Sequence, residues 1–166
     1  MTIHDDLLKV TNEQRDRYGV VALGVHPTLQ IAAQKHAEWM ADNRRMSHTG
    51  EGRSQFDDRI RAAGPYPSSA MAENIAWGQR TAKECVIDWM SSAGHRRNML
   101  NAGYLSAGFG AASDVNGALY FCALYGAAKP ESPAPVKPPP PPPPEPSWPT
   151  PRVGLIEWLL SLLGIK

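Results

Sequence analysis

His48, Glu73 and His95 are the residues here whose types suit reaction chemistry, and they lie 25 and 22 positions apart. Two imidazoles and a carboxylate can hold a zinc-like divalent cation while leaving one position open for water. Bound in that way, water becomes a nucleophile near neutral pH. Each of the three sits in a stretch that reads as a loop or a helix edge rather than inside an apolar stripe. Scaffold roles compete with chemical ones: His48 suits a turn beside Thr49-Gly50, Glu73 can accept from local backbone amides, and His95 can pair with Glu73. No HExxH, no paired CxxC and no glycine-rich phosphate loop sharpens the spacing. Ser92 stands three residues before His95 and suggests a Ser-His-Glu arrangement with Glu73, yet no nucleophile elbow accompanies it.

Two helices are legible around these residues. From Pro27 onward Leu29, Ala32, Ala33, His36, Ala37 and Met40 recur at spacings of three and four, so they line one buried face. His36 belongs to that stripe and reads as a core histidine. Thr81 opens the second helix, its hydroxyl capping the first turn while Glu84 reaches back to the Thr81 amide. Val86, Trp89 and Met90 form the inner stripe of that helix. Near the end, alternation over Leu105–Ala112 and the aromatic run Ala118–Tyr125 flank Asn116-Gly117, the pattern of a β-hairpin. Helices first and strands last predict an α+β sandwich.

Lys plus Arg total 17 against 16 Asp plus Glu, so no net field draws nucleic acid, and no nucleic-acid partner is expected. Cys85 and Cys122 are expected as two buried thiols, because small disulfide-held domains carry more cysteine than this. The opening MTIHDDLLKVTNEQRDRYG shows no Sec-type signal, and no apolar run reaches the ~18 residues of a membrane span.

After Gly126 the composition changes, with all the prolines except Pro27, Pro65 and Pro67 falling in the segment from Ala127 to Arg152. Such a stretch predicts a semi-rigid polyproline II spacer. Residues Arg152 to Lys166, read as a helix, leave Gly154, Glu157, Ser161 and Gly164 as one narrow polar stripe on an otherwise apolar surface. At ~22 Å it is too short to cross a bilayer, so a membrane surface, a partner's groove or self-association is expected to receive it. Trp158, Leu159 and Leu162 are its expected contacts. The division is 1–127 domain, 128–151 linker and 152–166 amphipathic helix.

The stretches MSHTG (Met46 to Gly50), AENIAWG (Ala72 to Gly78), VIDWMSSAGHRRNMLN (Val86 to Asn101), YLSAGFGAA and LYFCALYG come in the order found in one family. Together they resemble the bacterial branch of the CAP superfamily, the cysteine-rich secretory, antigen 5 and pathogenesis-related (SCP) domains. The resemblance implies a three-layer α-β-α sandwich with a central antiparallel sheet and a cleft of two histidines and two acidic residues. His48, Glu73 and His95 match three of the four, and Asn74 is placed with them as a ligand contact. The second glutamate has no counterpart, since Met90, Ser91 and Ser92 follow the helix tryptophan; Glu84 and Asp88 are acids nearby.

Three functions follow from these expectations. One is a binding module, its cleft holding an unidentified ligand and its tail tethering it to a membrane or particle. The second is a metal-assisted hydrolase of envelope peptide or peptidoglycan material, with His48 and His95 on zinc and Glu73 and His95 as the catalytic pair. Third comes a component of a large assembly such as a phage particle. The family is usually exported, which sets the absent Sec signal against the resemblance.

Overall fold

The structure is a computed structural model that describes residues 2–130. The expected spacer beyond residue 130 and the expected helix with Trp158, Leu159 and Leu162 lie outside the described residues. Helices α1 (Ile3–Arg17), α2 (Pro27–Asp42), α3 (Phe56–Ala63), α4 (Ala82–Ser91) and α5 (Ala93–Met99) surround one sheet. Its strands β1 (Gly24–Val25), β2 (Met71–Trp77), β3 (Ser106–Ser113) and β4 (Leu119–Gly126) run in the order β1-β3-β4-β2. The β2, β4 and β3 pairings are antiparallel, and β1 adds a two-residue parallel step beside Ser106 and Ala107.

Because side chains alternate along a strand, β4 serves two cores. Phe121, Ala123 and Tyr125 pack with Leu7 of α1 and Cys85, Val86 and Trp89 of α4. Tyr120, Cys122 and Leu124 pack with Leu29, Ala33 and Met40 of α2 and Ile60 of α3. That is the three-layer α-β-α sandwich the resemblance implies. Both cysteines are buried free thiols.

α2 lies close on β3. A methyl group added at Gly108 would stand 2.1 Å from the Leu29 carbonyl carbon, and one at Gly110 would stand 2.2 Å from the Ala33 oxygen. The two glycines let helix backbone and strand backbone approach. Beyond Ala107, where β1 ends, two glutamines of α2 take over the open edge of β3. Gln30 accepts from the Phe109 amide and donates to its carbonyl, and Gln34 does the same at Ala111. The other edge is covered in the same manner, because Trp89 donates to the Ile75 carbonyl and Asn98 to that of Glu73. Side chains thus occupy the outward-facing backbone groups that would otherwise template another strand.

α2 begins as expected at Pro27, with His26 as its cap. The cap of α4 differs in one respect: Thr81 accepts from the Glu84 amide, but the Glu84 carboxylate accepts from Arg80 rather than from Thr81. The hairpin is present. Asp114 Oδ1 accepts from the Asn116 and Ala118 amides, and Gly117 takes a φ of +82° that suits its missing side chain.

Candidate functional site

Glu73 lies in β2, not in a loop as its sequence suggests, and the strand explains its surroundings. Ala72 to Ala76 are all buried, so apolar alternation is missing because helices cover both faces. Adjacent residues then serve opposite layers. Glu73 shares the α2–α3 face with Ile75 and Cys122, while Asn74 turns toward α5.

The Glu73 side chain is 2% exposed and both its carboxylate oxygens are engaged. Oε1 lies 2.8 Å from His48 Nδ1, and Oε2 accepts from Arg59 Nη2 at 2.5 Å. Cys122 donates its thiol to Oε2 at 3.6 Å, and His36 Nε2 stands 3.9 Å away. Burial alone pushes the Glu73 carboxyl up, but the His48 hydrogen bond and the charges of Arg59 and His36 outweigh it and hold it below its ordinary value. Glu73 in turn helps push the Cys122 thiol well up, after the larger effect of complete burial.

Arg59 is the partner that sequence reasoning missed. On α3 the neighbouring Arg61 pairs with Asp57 and Asp58 at helical spacing, whereas Arg59 has no acid three or four residues away. That local vacancy was the available signal. Its guanidinium reaches across to β2 and also donates to the carbonyls of His48 and Ser54, so it ties the MSHTG loop to the strand. His36 sits on the buried face of α2 as expected, and its Nε2 donates to the Ser47 carbonyl at 2.8 Å. Its proximity to Glu73 makes it part of this cluster rather than core filling alone.

His48 is more than half exposed and closes the outer side of the carboxylate. His95 lies on α5 and no hydrogen bond joins its ring to Glu73. Its imidazole is depressed first by burial and then by the charge of His48. Asn74, expected at the ligand, is buried with its amide engaged: it donates to the His95 carbonyl at 3.1 Å and accepts from Asn98 at 2.9 Å. Asn74 therefore positions α5, and with it His95. Arg15 anchors the far end of α5 by donating to the carbonyls of Met99, Asn101 and Tyr104.

A catalytic zinc takes three protein ligands and keeps an open position. Among the described residues no three His, Cys, Asp or Glu side chains converge to hold a metal, and the cation of Arg59 already stands on the carboxylate. The residues as placed do not fit such an ion. Glu84 accepts from the Arg80 amide and Asp88 from Gln79, so neither nearby acid joins the cluster. No hydrogen bond links Ser92 to His95 through their side chains. Among the described residues no helix is long and apolar enough to cross a membrane.

The comparisons with known proteins agree with this architecture. The family model described as the cysteine-rich secretory protein family, CAP, matches residues 8–125. Over 104 residues the chain is 33% identical to YkwD, an uncharacterised protein of Bacillus subtilis, a stretch covering 63% of this chain and 40% of that protein. YlbC, an uncharacterised membrane protein of the same organism, is 31% identical over 110 residues, covering 66% and 31%. The chain thus spans less than half the length of either relative. An outer surface protein from Borrelia burgdorferi aligns with a TM-score of 0.69 at 21% identity, covering 78% of this chain and 97% of that one. An extracellular SCP-domain protein from Bacillus anthracis gives 0.66 at 23% identity, covering 76% and 40%. These structural likenesses repeat the sandwich, and the family model spans it from α1 to β4, so this chain belongs to the CAP family of cysteine-rich secretory proteins.

Proposed function

We propose that the chain is a binding module, its CAP domain presenting a ligand cleft between His48 and His95 and its C-terminal segment fastening the domain to a membrane or a large assembly. The observation that carries the first half is the state of Glu73. A general base for hydrolysis needs an oxygen free to take a proton and an affinity for it near working pH. Glu73 is buried, held ionised, and bonded at both oxygens by its own protein. Such a carboxylate organises the cleft wall, and His48, more than half exposed, is the group a ligand meets first.

Two neighbours by fold are called extracellular and outer surface proteins, which supports a place at a cell surface for this domain too. The apolar residues Trp158, Leu159 and Leu162 support the tether, since they belong to nine apolar residues among the fifteen from Arg152 to Lys166, a composition that favours burial against a partner surface. Phage particles offer the same kind of repeated docking surface.

Liposome flotation and co-purification of the full chain beside a version ending at Pro130, the last described residue, test the tether. The full chain should float or bring down a partner, and the shortened one should do neither. Identical behaviour of the two would remove the tether.

A further inference from the structure

Polar ties rather than apolar packing hold the segment between α2 and α3 to the domain. Residues 44–54 give no side chain to either hydrophobic core, and Met46, the large apolar side chain among them, is 52% exposed. Of these residues only Gly50 is buried. Part of the underside rests on space, because Glu51 and Ser54 line a cavity of about 400 Å3 with Trp39 of α2 and Ala62 of α3. Few buried apolar contacts mark a segment that can open without unfolding the rest of a domain.

The ties converge on three side chains of the buried cluster. His36 Nε2 donates to the Ser47 carbonyl at 2.8 Å, and Glu73 Oε1 lies 2.8 Å from His48 Nδ1. Arg59 Nη1 donates to the carbonyls of His48 at 3.1 Å and Ser54 at 2.8 Å. Gly50 sits directly on two of these side chains, since a methyl group there would stand 3.2 Å from His36 Nδ1 and from Arg59 Nη1. Gln55 adds a longer bond, 3.4 Å, to Thr49 Oγ1. Other bonds close within the segment: the Gly50 amide donates to the Ser54 carbonyl, Arg53 to Gly50 and Ser54 to Glu51. The segment therefore has an internal shape of its own.

Backbone strain lies near both of its ends. Arg44, with φ +48°, and Arg53, with φ +65°, are the non-glycine residues of positive φ among the described residues, a conformation that costs a residue with a side chain. Hinges are short stretches that absorb such changes of φ, and relaxation at these two arginines favours release. We propose that residues 44–54 form a strap over Glu73 that opens as one unit, with His36 and Arg59 as its latch. Opening parts His48 from Glu73 Oε1 and gives solvent a way to a carboxylate that the closed strap buries. The strap stands whether or not the cleft between His48 and His95 takes a ligand.

Amide hydrogen exchange of the 15N-labelled full chain tests this. After correction for sequence, the hydrogen-bonded amides of Gly50, Arg53 and Ser54 should exchange within about threefold of one another. They should also exchange about 100-fold or more faster than Phe121 and Ala123 in the central strand β4. Urea below the unfolding transition should speed the β4 amides and leave the strap amides flat, because strap opening exposes little surface. Arg59→Lys keeps a cation for Glu73 but loses the fork that reaches the His48 and Ser54 carbonyls, and should speed the strap amides about tenfold. Strap amides that rise with β4 in urea, that scatter over unrelated rates, or that ignore Arg59→Lys would each overturn the strap. The urea series uses the unaltered chain, so the strap can fail even where Arg59→Lys does not fold.

Discussion

Glu73 stays ionised although its side chain is 2% exposed, because Arg59 and His48 return what burial takes away. Removing one member of such a pair strands the other. Arg59→Met should destabilise the domain by about 3 kcal/mol in chemical denaturation, and adding Glu73→Gln should recover much of that loss. His48→Ala, at a side chain 57% exposed, should cost less than about 1 kcal/mol. Equal losses at Arg59 and His48 would contradict this order. His36 adds a pH dependence of known sign. Burial depresses its imidazole below 6.5, opposed by Glu73 and seconded by the charges of Arg59 and His48. The unfolded chain therefore binds more protons as pH falls below 6.5, and stability present above that value declines. His36→Gln, which keeps a donor for the Ser47 carbonyl, should flatten the melting temperature against pH in this window; an unchanged slope would assign it to other groups, His95 first. The family motifs made His48, Glu73 and His95 legible in the sequence. Arg59 was not, since a lone arginine on a charged helix resembles a solvated one until its partner strand is known.

Among the described residues, α2 and the β3–β4 hairpin carry local signals that the sequence shows, whereas β1 and β2 are defined by distant contacts. The stripe from Leu29 to Met40 and the Asn116-Gly117 turn are written in consecutive residues, so α2 and the β3–β4 hairpin were visible. β2 has no alternation because helices bury both its faces, and β1 is two residues long. The close approach of α2 to β3 likewise appears in sequence only as small residues in SAGFGAA. It makes a sharp prediction: Gly108→Ala puts a carbon 2.1 Å from helix backbone and should destabilise by ~2 kcal/mol or more. Gly117→Ala, where nothing stands within 4 Å, should lose only the cost of its positive φ. Thermal or denaturant midpoints of the two variants decide this, and a Gly108→Ala no worse than Gly117→Ala would contradict the packing.

For the molecule as a whole, the sandwich buries Glu73 of β2 beside Arg59 of α3 and His36 of α2, and His48 joins that cluster from its exposed side. Its sheet edges are closed by Gln30, Gln34, Trp89 and Asn98, which leaves fewer open backbone groups to template another strand. Family membership establishes the fold, and the binding-module proposal turns on the ionisation of Glu73. The most direct measurement is the titration of the Glu73 carboxyl carbon by 13C NMR on the full chain, with and without zinc. A binding module predicts a value below the ordinary carboxylate range that zinc does not move. A value raised toward about 7, or one that shifts when zinc is added, would make Glu73 a base beside a metal and contradict the account.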